Sequence, residues 1–195
     1  MDKDLKLELE NEPIQPLSMH PQKFALWLFL VSVVMIFASL SSAYIVRRGE
    51  GNWLDFDLPS IFYYTSGIII LSSITMQWAY FAAKKDNLDG LKIALVLTSI
   101  LGACFLVGQV IAWEKLIEMQ VYFVGNPSGS FLYVLTGVHG LHLVSGIVFL
   151  IIVLVLAFKY KVHSKSLVRI EMCATYWHFL GALWLYLFFF LSFNH

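Results

Sequence analysis

Charged residues are few in this chain and they cancel: Lys and Arg number 13, Asp and Glu number 13, and the formal net charge is zero. With no dense basic cluster, the chain gives nucleic acid no electrostatic footing. Cysteine is almost missing as well. Cys104 and Cys173 are the only two, each lies inside an apolar run, and they read as small buried hydrophobes rather than as a disulfide or a metal pair. There is no glycine-rich phosphate loop, no nucleophile with a neighbouring base and no metal-spaced Cys/His cluster. Intrinsic catalysis therefore has no visible seat. A secretory signal is not evident either: the start, MDKDLKLELENEPIQPLSMH, is polar, acidic and interrupted by Pro13 and Pro16.

What is abundant is apolar. The chain is 59% hydrophobic and 16% aromatic, above the share of about 45–50% usual in soluble domains, so the bilayer is its solvent. About 20 apolar residues cross a hydrocarbon core of about 30 Å. Five runs of that kind follow one another: Phe24 to Val46, Ser60 to Ala83, Leu91 to Leu116, Gly129 to Phe158 and Ile170 to Phe193. The predicted fold is all-α, a polytopic membrane bundle of five transmembrane helices, with residues 1–22 as a polar flexible tail and 23–195 as the membrane domain. Short turn-like connections separate the spans: RRGEGNWLDFDLP, KKDNLDG, GNPSG and the basic stretch KYKVHSKS.

Basic residues set the orientation. Ten of the thirteen (Lys3, Lys6, Lys23, Lys84, Lys85, Lys92, Lys159, Lys161, Lys165 and Arg169) fall on the side of the amino terminus, and Arg47, Arg48 and Lys115 on the other. The positive-inside rule makes the amino terminus cytoplasmic and puts His195 outside. The lack of a basic, acid-poor transit segment points to a bacterial cytoplasmic (inner) membrane. Trp27, Trp53, Trp113 and Tyr122 sit near span ends, as interface anchors do.

Polar groups at hydrocarbon depth cost several kcal/mol unless paired, so function would sit among the few that are there. These are Gln77, Gln109, His139, His142 and His178, with Glu114 and Glu171 nearer the ends and Ser39, Ser41 and Ser42 in the first span. His139, His142 and Gly146, spaced i, i+3 and i+7 with Gly137 and Gly140 beside them, predict a stripe that meets another helix closely and bonds to it. Counted along the helices, Gln109 and His139 lie at similar depth, about 13–15 Å from the outer end. A hydrogen bond between them, in a polar layer shared with the serines of the first span, is the expectation, and His139→Leu is expected to loosen the packing. A ligand reading competes with this one, since neutral imidazole is the usual axial ligand of a membrane haem. His142 and His178 approach one level, so a b-type cytochrome with one haem is conceivable. Glu171 opens the last span, where the helix dipole favours a carboxylate; its other partners would be Arg169, Lys165 or a lipid head group. A small transporter would want broken helices or an unpaired mid-membrane charge, and neither is evident.

Two late segments, TGVHGLHLVSG (Thr136 to Gly146) and YWHFLGALWLYLF (Tyr176 to Phe188), resemble the third subunit of haem-copper oxidases, the group of cytochrome c oxidase and related quinol oxidases. Weaker likeness extends through SSAYIVRR, GQVIAWEKL and Glu171. Many members of that family have seven helices, and this chain resembles the shorter class that lacks the first two. The resemblance implies a non-catalytic accessory subunit that packs on the catalytic subunit, binds phospholipid and protects turnover and proton uptake. Subunits I and II would be its partners and would hold the haems and copper. Cytochrome c would be the donor to the complex, which would itself sit within a respiratory supercomplex, and an accessory subunit of a quinol oxidase or nitric oxide reductase is the near alternative. The family motif falls on His139, Gly140, His142, Gly146, Glu171, Trp177, His178 and Trp184. Two positions depart from it: the carboxylate that many members carry in this first span is Val33, after Ser32, and the aspartate that often follows YWHF is Gly181.

Overall fold

The computed structural model describes residues 21–158 and 167–194. Five helices fill them: α1 Pro21–Gly49, α2 Ile61–Lys84, α3 Leu88–Glu118, α4 Pro127–Phe158 and α5 Val168–Asn194. Each is long and apolar enough to cross a membrane, and no strand occurs among the described residues. The helices match the expected spans to within a few residues at each end; α1 begins at Pro21, two residues inside the segment expected as a tail. Residues 1–20 and Lys159, Lys161 and Lys165 lie outside the described residues.

Local chemistry explains the helix limits. Pro21 and Pro127 stand at first helical positions, where the missing N–H costs nothing. The α2–α3 turn passes through Asp86 at φ 53°, and the Asn87 side chain accepts from Gly90 N at 3.0 Å to cap α3. At the other end of the bundle, Asn126 clasps two loops. Its Oδ1 accepts from Ser128 N at 3.0 Å and from Leu54 N at 3.3 Å, and its Nδ2 donates to Asn52 O at 3.3 Å.

Burial sorts the helices into two groups. On α1 only Leu30, Val33, Phe37, Ser41 and Tyr44 are buried, a narrow stripe with steps of three or four residues. On α5 twelve residues from Ile170 to Leu191 are buried. Helices α2 to α5 enclose a common interior, in which Phe62 of α2, Phe105 of α3 and His139 of α4 all pack against Trp184 of α5. Helix α1 lies outside that interior and packs on α4 and α5. Two bonds hold it near its ends: Lys23 Nζ reaches Glu171 Oε2 at 2.7 Å, and the Tyr44 hydroxyl donates to Asn194 O at 2.7 Å.

Candidate functional site

The polar interior is built on α5. Trp177 and Trp184 are one heptad apart and so face the same way. Trp177 Nε1 donates to Ser72 Oγ at 3.1 Å, and Trp184 Nε1 donates to Ser66 Oγ at 3.0 Å. Ser66 and Ser72 donate in turn to the carbonyls of Phe62 and Ile69, at 2.7 and 2.8 Å. Every indole N–H in this ladder ends on an acceptor, as a dry interior requires. Glycines make room for the side chains of α5. A Cβ on Gly102 would come within 2.6 Å of the Trp177 ring, and one on Gly146 within 2.8 Å of Leu180.

Next to the ladder, Thr75 and Thr98 share a hydrogen bond at 2.8 Å between α2 and α3. Gln109 Nε2 donates weakly to Thr65 Oγ1 at 3.5 Å, and Trp113 Nε1 donates to Thr136 Oγ1 at 3.1 Å between α3 and α4. None of these hydroxyls stood out in the sequence. A hydroxyl in an apolar helix usually bonds the carbonyl one turn back and gives no sign of it; the spacing of Ser66 and Ser72 opposite two tryptophans is the signal that finds them.

The two histidines of α4 part company. His139 is fully buried, and neither ring nitrogen has a partner; its ring rests on Trp184 at 5.2 Å and meets Phe105 edge-on at 5.9 Å. The expected bond to Gln109 is absent, and Gln109 Oε1 is itself unpartnered. His142 turns away, because three residues at about 100° each leave it about 60° off the His139 line. It packs against Phe29 and Phe37 of α1, and its Nδ1 lies 2.8 Å from Val138 O. The stripe therefore bonds to no other helix through its imidazoles. Gly146 lies in the buried row with His139, whereas Gly140 has open space where a Cβ would stand.

The polar layer with the first span is likewise corrected. Ser41 is buried but makes no hydrogen bond, and Ser39 and Ser42 are exposed on the outside of the bundle. What joins α4 to α5 here is Tyr176, whose hydroxyl meets Ser145 Oγ at 2.7 Å and His142 O at 3.2 Å. Glu171 takes Lys23 of α1 as its partner instead of Arg169; Lys165 lies outside the described residues. Cys173 is buried as expected, but Cys104 faces outward. His178 bonds to Gln77 of α2 at 3.0 Å between Nε2 and Oε1. His142 and His178 thus face different neighbours and do not converge on one ligand position. No group of three or more His, Cys, Asp or Glu converges among the described residues.

A bundle of five helices, each long and apolar enough to cross a membrane, belongs by class to the polytopic α-helical membrane proteins. Comparison with known proteins takes this further. The family described as cytochrome c oxidase subunit III matches residues 55–194. Cytochrome c oxidase subunit 3 of Corynebacterium diphtheriae is 32% identical over 168 residues, 82% of this chain and 82% of that protein. Subunit 3 of the cytochrome bo(3) ubiquinol oxidase of Buchnera aphidicola is 30% identical over 176 residues, 88% of this chain and 93% of its own. Cytochrome c oxidase subunit 3 of Thermostichus vulcanus is 31% identical over 180 residues, 87% and 86% of the two chains. The chain belongs to the cytochrome c oxidase subunit III family, and is a subunit III of a haem-copper oxidase.

Proposed function

We propose that this subunit is non-catalytic by itself, and that it stabilises the catalytic subunit of an aerobic oxidase in a bacterial cytoplasmic membrane. Its amino terminus is cytoplasmic and its carboxyl terminus outside, subunits I and II are its partners, and the haems and copper sit in those subunits. The observation that carries this reading is the indole–hydroxyl ladder of α5 on α2: polar groups at hydrocarbon depth are spent on holding helices together.

Structural phospholipid belongs to the same proposal. A groove of about 620 Å³ runs between α1 and the α4–α5 pair, lined by Ala25, Leu26, Phe149, Ile152 and Met172, with Arg169 at its basic end. An acyl chain fits such a wall, and a guanidinium beside it fits an anionic head group. The donor to the complex is cytochrome c; the ubiquinol oxidase relative is the observation that keeps a quinol donor in view.

The test is a mild-detergent pull-down of the tagged chain, with reduced-minus-oxidised spectra and oxygen uptake measured on the complex and again on the stripped chain. Haem that stays with the other subunits, with cytochrome c oxidation in the complex, is the expected result. A b-type band travelling with the isolated chain would overturn the non-catalytic reading, and uptake supported only by a quinol would replace the donor.

A further inference from the structure

On the outside of the α2–α5 seam, the polar groups are not used up. Helices α2 and α5 are the least apolar of the five. The inward side of their seam holds the ladder; the outward side holds Ser73, Gln77 and His178, all half-buried. Gln77 lies seven residues before the end of α2, about 10 Å into the membrane, and His178 lies ten residues into α5, about 15 Å from the same end. Both depths fall within the hydrocarbon.

At that depth, each unspent donor or acceptor costs free energy against lipid. Three remain. With Gln77 Oε1 accepting from His178 Nε2–H, the Gln77 amide nitrogen keeps its donors and His178 Nδ1 its lone pair, and neither bonds to another described residue. Ser73 is the third. The other hydroxyls of α2's serines and threonines, at Thr65, Ser66, Ser72 and Thr75, each bond a backbone carbonyl three or four residues back, whereas Ser73 makes no such bond. Opposite it stands Gly181, whose missing Cβ would lie 3.0 Å from Ser73 Oγ. The result is one half-buried seam that carries a hydroxyl, an amide and an imidazole. An acyl chain satisfies none of them.

We propose that the outward α2–α5 seam, at Ser73, Gln77 and His178, is the surface on which a transmembrane helix of a partner oxidase subunit docks. The partner helix presents an acceptor to the Gln77 amide and a donor to His178 Nδ1, as polar side chains do between membrane helices, while buried Gly181 serves the close approach of α5 to α2 within the chain. This deepens the accessory-subunit reading and rests on it.

The test is photo-crosslinking in the intact complex. Benzoylphenylalanine replaces Ile70, an exposed residue one heptad from Gln77 on the same face of α2, and in a second strain replaces Ile100, an exposed residue of α3. Neither residue belongs to the ladder, so the bundle folds with either. An adduct between the chain and another oxidase subunit, several-fold stronger from position 70 than from position 100, is the expected result. Equal adducts from both positions, or only lipid or self-adducts from position 70 in a complex that purifies whole, would overturn the docking surface and leave the accessory reading standing. Purification with no other oxidase subunit would overturn both. As a second readout, Gln77→Leu with His178→Phe should lower retention of the chain in the complex several-fold as detergent is raised, while Ser145→Ala leaves it unchanged; retention equal to wild type would also count against the proposal.

Discussion

Helix α1 and the α2–α5 core are all long apolar spans, yet they are held by different means. The core is held along its length, through twelve buried positions on α5, two tryptophans bonded into serines, and glycines that admit the Trp177 ring and Leu180. Helix α1 is held by a five-residue stripe and one bond near each end. In a bilayer, lipid tails are as apolar as leucine, so apolar surface alone does not pull helices together; close packing and interhelical hydrogen bonds do. A lipid-facing helix with few of either is attached without being embedded.

The sharpest way to break that contrast is to empty the core. Trp177→Ala opens a space between Gly102 and Gly146 and is expected to lower stability in detergent by about 3–5 kcal/mol, against a clearly smaller loss for Phe37→Ala on α1; equal losses, measured by denaturant unfolding, would erase the distinction. Removing the hydroxyls is milder. Ser66→Ala with Ser72→Ala leaves two indole N–H groups unpaired, at about 0.5–2 kcal/mol for each, readable as a lowered Tm with tryptophan fluorescence shifted by the lost bonds. His139→Leu is expected to change stability by only about 1 kcal/mol, since its nitrogens have no partners and only ring contacts are lost. A loss of several kcal/mol on the same assay would mean that His139 is bonded after all. Smallest is Lys23→Gln. A half-exposed ion pair contributes about 0–1 kcal/mol, so global unfolding barely moves, while a spin-label distance between the first turns of α1 and α5 should broaden.

Spans and motif positions were legible in the sequence because each depends on one helix at a time. Five long apolar runs give five helices, and TGVHGLHLVSG and YWHFLGALWLYLF fall on α4 and α5 as read. Direction was harder. His139 and His142 share a spacing that suggests one face, yet 60° of rotation sends one into the core and the other toward α1; only the placement of neighbouring helices decides which polar group finds a partner. Lys23 and Glu171 stand 148 residues apart, and nothing local to either marks the other. The serines of α2 were passed over because a back-bonded hydroxyl is cheap in any apolar helix. Their role exists only once the tryptophans of α5 lie opposite.

The seating of α1 also bears on how the chain is made. It is the first of the five helices to leave the ribosome, yet it packs on α4 and α5, which begin at Pro127 and Val168, rather than on α2, which follows it directly. At about 5–20 residues per second, its partners arrive on the order of ten seconds later. During that interval α1 must persist in the bilayer as a lone span, and its largely lipid-compatible surface, interrupted only by a thin stripe, lets it wait. Synthesis of the last helix brings Glu171 to Lys23 and Asn194 to Tyr44, so the first segment of the bundle to be inserted is the last to be locked in place.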